Sequence, residues 1–242
     1  MYEEEIGTGS WRTLQYEKKK GNLYPTHGLG PVSQYMNLLR TEDTFKTLIS
    51  FSSPALGREK FARENFKENH KWNKLNYQNG DINTTIIKTY LGRTIMVQWD
   101  ETSPRPYTRL NLIQGTKGIL AGGPTRAAFD NGFEGYTKDA EEWITGEGID
   151  ALYEKYDHPM YKRLNKITQD SGHGGMDGMM VYRIIECLRN GKPLDQNVYE
   201  GCAWSSLIEL TSNSVNQGGT PQEFPDFTRG KWVSTKPFNI KP

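Results

Sequence analysis

The fold follows from one stretch of the sequence, Asp81-Ile-Asn-Thr-Thr-Ile-Ile-Lys-Thr-Tyr90 and, after Leu91-Gly92, Arg93-Thr-Ile-Met-Val-Gln-Trp-Asp-Glu101. The first run is rich in β-branched residues, and the second places Ile95, Val97 and Trp99 at a period of two. Two such runs on either side of a glycine turn predict an antiparallel β-hairpin.

Further strand patterns lie on both sides of this hairpin. Lys46–Ser52 alternates, and a second hairpin is predicted from Leu110–Gln114 and Gly118–Ala121, across a turn that contains Gly115. Phe133–Tyr136 is a candidate for one more short strand. The predicted strands therefore fall mainly in the first half of the chain.

Helical patterns dominate after Asp139. The strongest is Met176–Asn190, where apolar residues recur every four positions before Gly191 and Pro193 end the helix. Strands followed by helices predict an α+β fold, a mostly antiparallel sheet with helices packed on one face. Without an internal repeat or a low-complexity linker, residues 1–242 are expected to form a single domain. The remaining helix candidates are Ser33–Arg40, Pro54–Phe66, Ala140–Thr145, Ile149–Lys155, Pro159–Thr168 and Asp195–Val215.

Composition limits the classes of partner. The 242 residues include 30 basic and 29 acidic side chains, a net charge of +1 that indicates neither nucleic acid nor an anionic membrane as partner. No apolar run is long enough to predict a transmembrane helix, and the acidic start Met1–Glu5 is not a signal peptide. The default expectation is a cytoplasmic protein, which a leader ahead of this chain would change. Cys187 and Cys202 have no metal spacing and are expected to be buried thiols rather than a disulfide.

The chemistry is concentrated in Tyr24-Pro25-Thr26-His27-Gly28-Leu29-Gly30-Pro31. Pro31 suits the first turn of a helix, so the polar groups are expected on a tight loop beside a helix N-terminus, where oxygen-rich ligands bind well. An imidazole can transfer protons near neutral pH, and a phenol can donate to a sugar hydroxyl. The alternative is that Tyr24 packs and His27 only holds the turn. The stretch lacks the third glycine of a dinucleotide fingerprint, and that function is rejected for it.

Three other places offer candidate site residues. Tyr107 lies in a proline-stiffened loop and could face a pocket, or it could cover the edge of the core. Arg12 could bind a carbonyl or carboxylate, although such an arginine is more often part of a surface ion pair. His173 and Asp177 precede a helix without a third metal ligand, so a structural cap is preferred there and no metal site is predicted.

Four motifs stand out along the chain: Tyr24–Pro31, Gly172–Asp177, Glu186–Asp195 and Phe224–Trp232. Together they resemble glycoside hydrolase family 109, whose members include NAD-dependent α-N-acetylgalactosaminidases. The resemblance runs from about Gly21 to Trp232, while the Gly-His-Gly-Gly element alone is shared more widely with the Gfo/Idh/MocA oxidoreductase superfamily.

The resemblance implies a two-domain enzyme of which this chain is the C-terminal part. The family has an N-terminal Rossmann domain that binds NAD and an α+β domain of the Gfo/Idh/MocA C-terminal type that completes the sugar site. Here the Rossmann domain is absent and is expected in cis or in trans. The implied chemistry oxidises C3 of the sugar, eliminates the aglycone after loss of the C2 proton, adds water and reduces C3 again, with the cofactor performing the redox steps.

The same resemblance implies roles for individual residues. Tyr24 and His27 would be catalytic, with Tyr24 also touching the nicotinamide of NAD. The substrate-binding residues would be Arg12, Tyr24, Pro25, Thr26, His27 and Tyr107.

Two other functions remain open from the sequence. The parent could be a sugar oxidoreductase without net hydrolysis, since a shared fold does not fix function. The chain could also be a non-catalytic sugar-binding or oligomerisation module, because an antiparallel sheet with one uncovered face needs a partner, either the Rossmann domain or a second copy. A large exposed apolar patch beside Tyr24 would mark the docking surface of the missing domain.

Overall fold

The computed structural model describes residues 11–237 of the chain, with the side chains of residues 11–13 left out. Within that range the chain forms two compact units. The first comprises residues 11–104 and 196–237, and the second comprises residues 105–195. The second unit is thus an insertion between the predicted hairpin and the long helix that covers it.

The first unit is a four-stranded sheet with helices. The strands are β1 (Phe45–Ser52), β2 (Ile82–Thr89), β3 (Thr94–Asp100) and β7 (Gln222–Glu223). The helices are α1 (Trp11–Lys18), α2 (Thr26–Tyr35), α3 (Leu56–Asn65) and α7 (Val198–Asn216). The sheet has the strand order β3-β2-β1-β7, with every neighbouring pair antiparallel.

The predicted hairpin is the centre of this sheet. Strands β2 and β3 pair with Ile87 opposite Ile95 and Ile86 opposite Met96. Ile87, Ile95 and Val97 are buried on one face, while Ile86 and Met96 are exposed on the other. Helices α2 and α7 cover the buried face, so the predicted α+β architecture with helices on one face is confirmed. The core there also contains Leu29, Leu48, Ala203, Trp204 and Leu207.

Helix α7 is tied to its surroundings at both ends. Asn197 and Glu200 form a reciprocal capping box, in which each side chain accepts a backbone N–H at the helix start. The buried Glu200 carboxylate also pairs with Arg40 at 2.8 Å. Near the other end, the Ser214 hydroxyl accepts the backbone N–H of Ser50 at 2.9 Å. These bonds fix the position of α7 along β1.

The second unit has its own small sheet and core. Its strands form an antiparallel sheet in the order β4-β5-β6. The core contains Ala127, Ile144, Ile149 and Leu152. The elements are β4 (Leu112–Gly115), β5 (Gly118–Ala121), β6 (Arg126–Phe129), α4 (Glu147–Tyr156), α5 (Pro159–Thr168) and α6 (Met176–Arg189).

Several predicted elements of the second unit differ from the structure. Phe133–Tyr136 is a turn closed by an isolated bridge between Phe133 and Thr137, not a strand. The helix predicted at Ala140–Thr145 is wrong, because Ile144 exchanges two backbone hydrogen bonds with Ala127 and is therefore extended and buried. Strand β6 was not predicted from the sequence, because its four residues lie between two turns and are too few to show a strand pattern.

Helix α6 confirms the predicted apolar repeat, but the repeat faces solvent. Among the described residues of α6, Cys187 is the only one that is buried. The exposed apolar residues are Met176, Met180, Val181, Ile184, Ile185 and Leu188. The apolar repeat therefore identifies the apolar face of α6, but it does not indicate which part of the protein, or which partner, covers that face. None of the helices in residues 11–237 is long and apolar enough to cross a membrane.

The two cysteines are free thiols, as predicted. Cys187 is buried, whereas Cys202 is only partly buried. A disulfide is therefore not part of the described structure.

Asp43 anchors an unusual loop after α2. Asn37, Leu39 and Thr41 all have positive φ angles, a conformation that non-glycine residues adopt only where the surroundings enforce it. The fully buried Asp43 supplies much of that enforcement. Its carboxylate accepts backbone N–H groups at 2.9 and 3.0 Å and pairs with Arg93 at 2.8 Å, and its carbonyl accepts the N–H of Leu39.

The pKa of Asp43 lies below its ordinary value. Burial alone would raise it, but hydrogen bonds from Thr89, from the backbone of Leu91 and from Arg93 outweigh the burial. A carboxyl group with a lowered native pKa stabilises the fold above its unfolded pKa and loses that contribution as the pH falls through the native one.

We expect Asp43→Asn to lower the free energy of unfolding by about 2 kcal/mol at neutral pH, because it removes a buried charged acceptor. The difference from the wild type should be constant above about pH 5 and should shrink below about pH 4, as the wild-type carboxyl itself becomes protonated. Urea unfolding across this pH range measures both effects.

Glu64→Gln is the control, since Glu64 forms only an exposed pair with Lys60. A destabilisation by Asp43→Asn that stayed constant down to pH 3 would contradict the assigned role of the Asp43 charge.

Candidate functional site

The residues Tyr24 to His27 lie at the start of α2 rather than on a loop ahead of it. Pro25 is the N-cap residue, and Thr26 and His27 form the first turn. The expected helix at Ser33–Arg40 therefore begins seven residues early and ends at Tyr35, before the residues with positive φ. Pro31 lies inside the helix. Because proline has no N–H, the carbonyl of His27 receives no helical hydrogen bond.

Tyr24 and His27 form a contacting pair on the surface. The Tyr24 hydroxyl lies 3.4 Å from Nε2 of His27, and the two rings meet edge to face with centroids 4.6 Å apart. Tyr24 is 39% exposed, and His27 is exposed as well. A phenol and an imidazole are thus held side by side within reach of a ligand.

The first turn of α2 adds backbone donors to this pair. The N–H groups of Gly28 and Leu29 both bond to the carbonyl of Pro25. The backbone N–H groups of Thr26 and His27 have no partner within the helix, because the carbonyl four residues before each of them lies ahead of the helix start. Such N–H groups, at the positive end of the helix dipole, favour oxygen atoms that carry negative charge.

A buried polar network positions the chain just before Tyr24. The side chain of Asn22 accepts the backbone N–H of Tyr24 at 2.8 Å, and the backbone N–H of Asn22 donates to the Thr211 hydroxyl at 2.9 Å. Asn79 donates to the carbonyl of Gly21 at 2.8 Å. Asn22, Asn79 and Thr211 are each at most 1% exposed, so Tyr24 rests on rigid, water-excluded contacts.

Gly21 is required at its position for two reasons. Its φ angle is +90°, which favours glycine, and a Cβ there would lie 2.6 Å from the Thr211 hydroxyl. The chain therefore passes α7 at closer range than any other residue type permits. Next to it, Leu23 is buried against Tyr16 and Tyr77, which fixes the side of the chain opposite to Tyr24.

The glycines after His27 are not forced by close packing. A Cβ on Gly30 would lie 3.4 Å from the ring of Trp204, and one on Gly28 would lie 3.6 Å from Val97, both ordinary contact distances. Both glycines lie within the helix and not in a strand-to-helix loop. This location supports the rejection of a dinucleotide fingerprint at Gly28-Leu29-Gly30.

The other two predicted substrate contacts belong to other segments of the chain. Arg12 lies in α1, and its side chain is outside the described part of the structure. Tyr107 belongs to the second unit, where it is 85% exposed and its hydroxyl accepts a hydrogen bond from Arg109 at 3.1 Å. Their roles in substrate binding stay predictions.

His173 differs from its predicted role as a structural cap. Gly175, not His173, occupies the N-cap position of α6. The imidazole instead bonds the Asp177 carboxylate at 2.9 Å, and both side chains are exposed. Over residues 11–237 no group of three or more His, Cys, Asp or Glu side chains is arranged to hold a metal ion.

Comparison with known proteins identifies the family. The family model for the C-terminal domain of glycosyl hydrolase 109 matches residues 1–234. The chain belongs to glycosyl hydrolase family 109. The family 109 protein 1 of Akkermansia muciniphila is 60% identical over 242 residues, covering 99% of this chain and 50% of that protein. The family 109 protein of Shewanella baltica strain OS155 is 53% identical over 241 residues, covering 99% and 51%.

The chain thus spans about half the length of these family 109 relatives. Solved structures with a partial likeness include levoglucosan dehydrogenase in complex with NADH and levoglucosan, at 13% identity and a TM-score of 0.49 over 76% of this chain and 45% of that one. An inositol dehydrogenase homologue from Azotobacter vinelandii, complexed with NADH and myo-inositol, has 15% identity and a TM-score of 0.44 over 88% and 52%.

The supporting residues Asn22, Asn79 and Thr211 were not predicted from the sequence. Gly21-Asn22 is a dipeptide typical of turns, and it was the one local signal that the chain bends sharply before Tyr24. Asn79 and Thr211 are distant in sequence and carry no comparable signal. Their roles follow only from hydrogen bonds between distant segments of the chain.

We expect Thr211→Val to destabilise the protein by about 1 kcal/mol or more, because the isosteric side chain leaves the buried N–H of Asn22 without an acceptor. The same change should alter the NMR signals of Tyr24 and His27. Thr220→Val is the matched control, since the Thr220 hydroxyl is exposed and bonds only to a local carbonyl. Unchanged stability and unchanged Tyr24 and His27 signals in Thr211→Val would contradict the positioning role.

Proposed function

We propose that this chain is the sugar-site domain of an NAD-dependent glycosidase that hydrolyses α-N-acetylgalactosaminides. The observation that carries the proposal is the Tyr24–His27 pair, held by buried contacts and exposed at the start of α2. Membership of glycosyl hydrolase family 109 supports the reaction class. The substrate and the redox route come from the family resemblance of the sequence motifs.

The residues of this chain that would meet NAD are proposed to be few. Gly28 and Gly30 are part of a helix, so they do not form a phosphate-binding loop. We therefore assign the dinucleotide mainly to the half of the relatives' length that this chain lacks, with Tyr24 as the residue here that would reach the nicotinamide. When bound, NAD would supply hydride acceptance from C3 of the sugar and its later return.

The chain's own groups would orient the sugar and handle protons. The exposed imidazole of His27 would act as the general acid–base, and the Tyr24 hydroxyl at its Nε2 would be exchanged for a sugar hydroxyl on binding. The N–H groups of the first turn of α2 would favour a sugar oxygen that gains negative charge. Thr26, Pro25, Arg12 and Tyr107 would complete the substrate contacts.

The proposal is tested with a chimera that joins the remaining half of the Akkermansia muciniphila relative to this chain. We expect the chimera to release p-nitrophenol from p-nitrophenyl α-N-acetylgalactosaminide without added NAD⁺, because the reduced cofactor is reoxidised in each cycle. This chain alone should show no release. Net accumulation of NADH with free sugar, and no release of p-nitrophenol, would instead indicate a sugar oxidoreductase.

In the active chimera we expect His27→Asn to lower kcat/KM by about 10²-fold or more, since it removes the proton-transfer group and keeps a polar side chain of similar reach. His158→Asn is the matched control. His158 caps α5 by accepting a backbone N–H at 3.1 Å, a role that asparagine also fills well. A loss of less than about tenfold for His27→Asn, or an equal loss in both variants, would refute the catalytic assignment of His27.

A further inference from the structure

Arg58 is a buried cation that the proposed chemistry does not use. It lies in α3, where it and Ala62 are the buried residues, and it is only 3% exposed. Taking a guanidinium out of water is costly, and apolar groups that replace a buried ion pair are often neutral or stabilising. The Nε of Arg58 finds no hydrogen-bond partner in the described part of the chain, which adds to the cost. Stability alone therefore does not account for an arginine at this position.

The Arg58 guanidinium contacts three segments that are distant in the sequence. Its Nη1 donates to the backbone carbonyl of Asn79 at 3.1 Å, and its Nη2 pairs with the carboxylate of Glu101 at 3.2 Å. Its central carbon lies over the ring of Tyr16 in α1, 3.7 Å from the ring centroid. A cation over an aromatic face at this distance is attracted by the ring. Arg58 thus connects α3 with α1, with the segment ahead of β2 and with the end of β3.

Tyr16 is held by both its side chain and its backbone. Its hydroxyl donates to Glu101 at 2.6 Å, and its carbonyl accepts the N–H groups of Gln78 and Asn79, each at 2.9 Å. Burial, and then the hydrogen bond to Glu101, raises the pKa of the Tyr16 phenol above its ordinary value, so the hydroxyl remains a donor at neutral pH. These bonds fix the position of α1 against the two other segments.

The chain ahead of Tyr24 is attached to the same contacts. Asn79, whose carbonyl accepts from Arg58, donates its side-chain amide to the carbonyl of Gly21 at 2.8 Å. Asn79 is fully buried, so water does not compete for either bond. Gly21 lies three residues before Tyr24. Two buried hydrogen bonds therefore lead from the guanidinium to the stretch that precedes the candidate site.

We propose that Arg58 is a positioning residue of the Tyr24–His27 site. It fixes α1 and the chain ahead of Tyr24 relative to each other, and the backbone of Arg12 lies in α1 one helical turn before Tyr16. A buried guanidinium performs this task because its two outer nitrogens and its face bind in three different directions. The positional part of the proposal stands on these contacts alone, and its effect on sugar binding rests on the proposed function.

The test removes the two buried charges together. Arg58→Met combined with Glu101→Gln leaves no unpaired charge and keeps an acceptor for the Tyr16 hydroxyl, so the protein is expected to fold. NMR spectra of the chain labelled at tyrosine and histidine then report on the site. We expect the signals of Tyr24 and His27 to shift and the nuclear Overhauser effect between their rings to weaken, because the chain ahead of them loses an anchor.

The matched control is Arg40→Met combined with Glu200→Gln. It also removes a buried arginine–glutamate pair of the first unit, and glutamine retains an acceptor for the helix cap. The control should lower the urea midpoint at least as much and leave the Tyr24 and His27 signals unchanged. No shift in the folded Arg58 double variant, or an equal shift in both double variants, would overturn the proposal.

Arg58→Lys decides the matter if the double variant does not fold. The lysine keeps a positive charge beside Glu101, but one ammonium replaces the two nitrogens that reach Asn79 and Glu101. We expect a smaller shift of the same Tyr24 and His27 signals. Signals identical to those of the wild type would again overturn the positioning role.

The active chimera gives a kinetic readout. We expect the Arg58 double variant to raise KM about tenfold, because displaced contacts weaken binding of the substrate itself. A change that only destabilises the fold lowers the amount of folded enzyme and leaves KM unchanged, as expected for the Arg40 double variant. An unchanged KM in the Arg58 double variant would overturn the proposal. A chimera without activity would contradict the proposed function instead, and the NMR comparison would still decide the role of Arg58.

Discussion

The packing of α7 on the central sheet is the constraint on which the first unit depends. Trp204 and Leu207 fill the core above the hairpin, and Ser214 captures a backbone N–H of β1. The same helix presents Thr211 to the chain at Gly21, where only glycine fits. The position of the candidate site is therefore set by a helix that begins more than 170 residues after it.

This arrangement explains how an exposed pair of side chains is held with little support of its own. Tyr24 and His27 lie on the surface, but the residues just before them are buried and hydrogen-bonded to Thr211 and Asn79. After the C-terminal end of α2, the chain contains residues with positive φ angles, and Asp43 stabilises this loop. The site therefore loses its conformational entropy when the protein folds, and little further loss is expected when a ligand binds.

Local sequence patterns predicted the hairpin and the long helices, and they placed Tyr24 and His27 beside a helix start, because each of these features depends on neighbours in the sequence. The start of α2 was placed seven residues late, since Pro31 was taken for a first-turn proline although the helix accommodates it internally. The extended Ile144 and the insertion of residues 105–195 depend on contacts between distant segments. For α6, periodicity identified an apolar face, but it contains no information on whether that face is covered.

The segment that follows α3 and the Tyr24–His27 site adjoin the same apolar cluster. Tyr77 belongs to this cluster, and so does Leu23, the residue before Tyr24. A large-to-small change within the cluster would disturb both places at once, so its effect could not be assigned to either. Single polar atoms that no packing depends on are the informative targets. The imidazole of His27 meets that condition, because it is exposed and asparagine nearly preserves the length of the side chain.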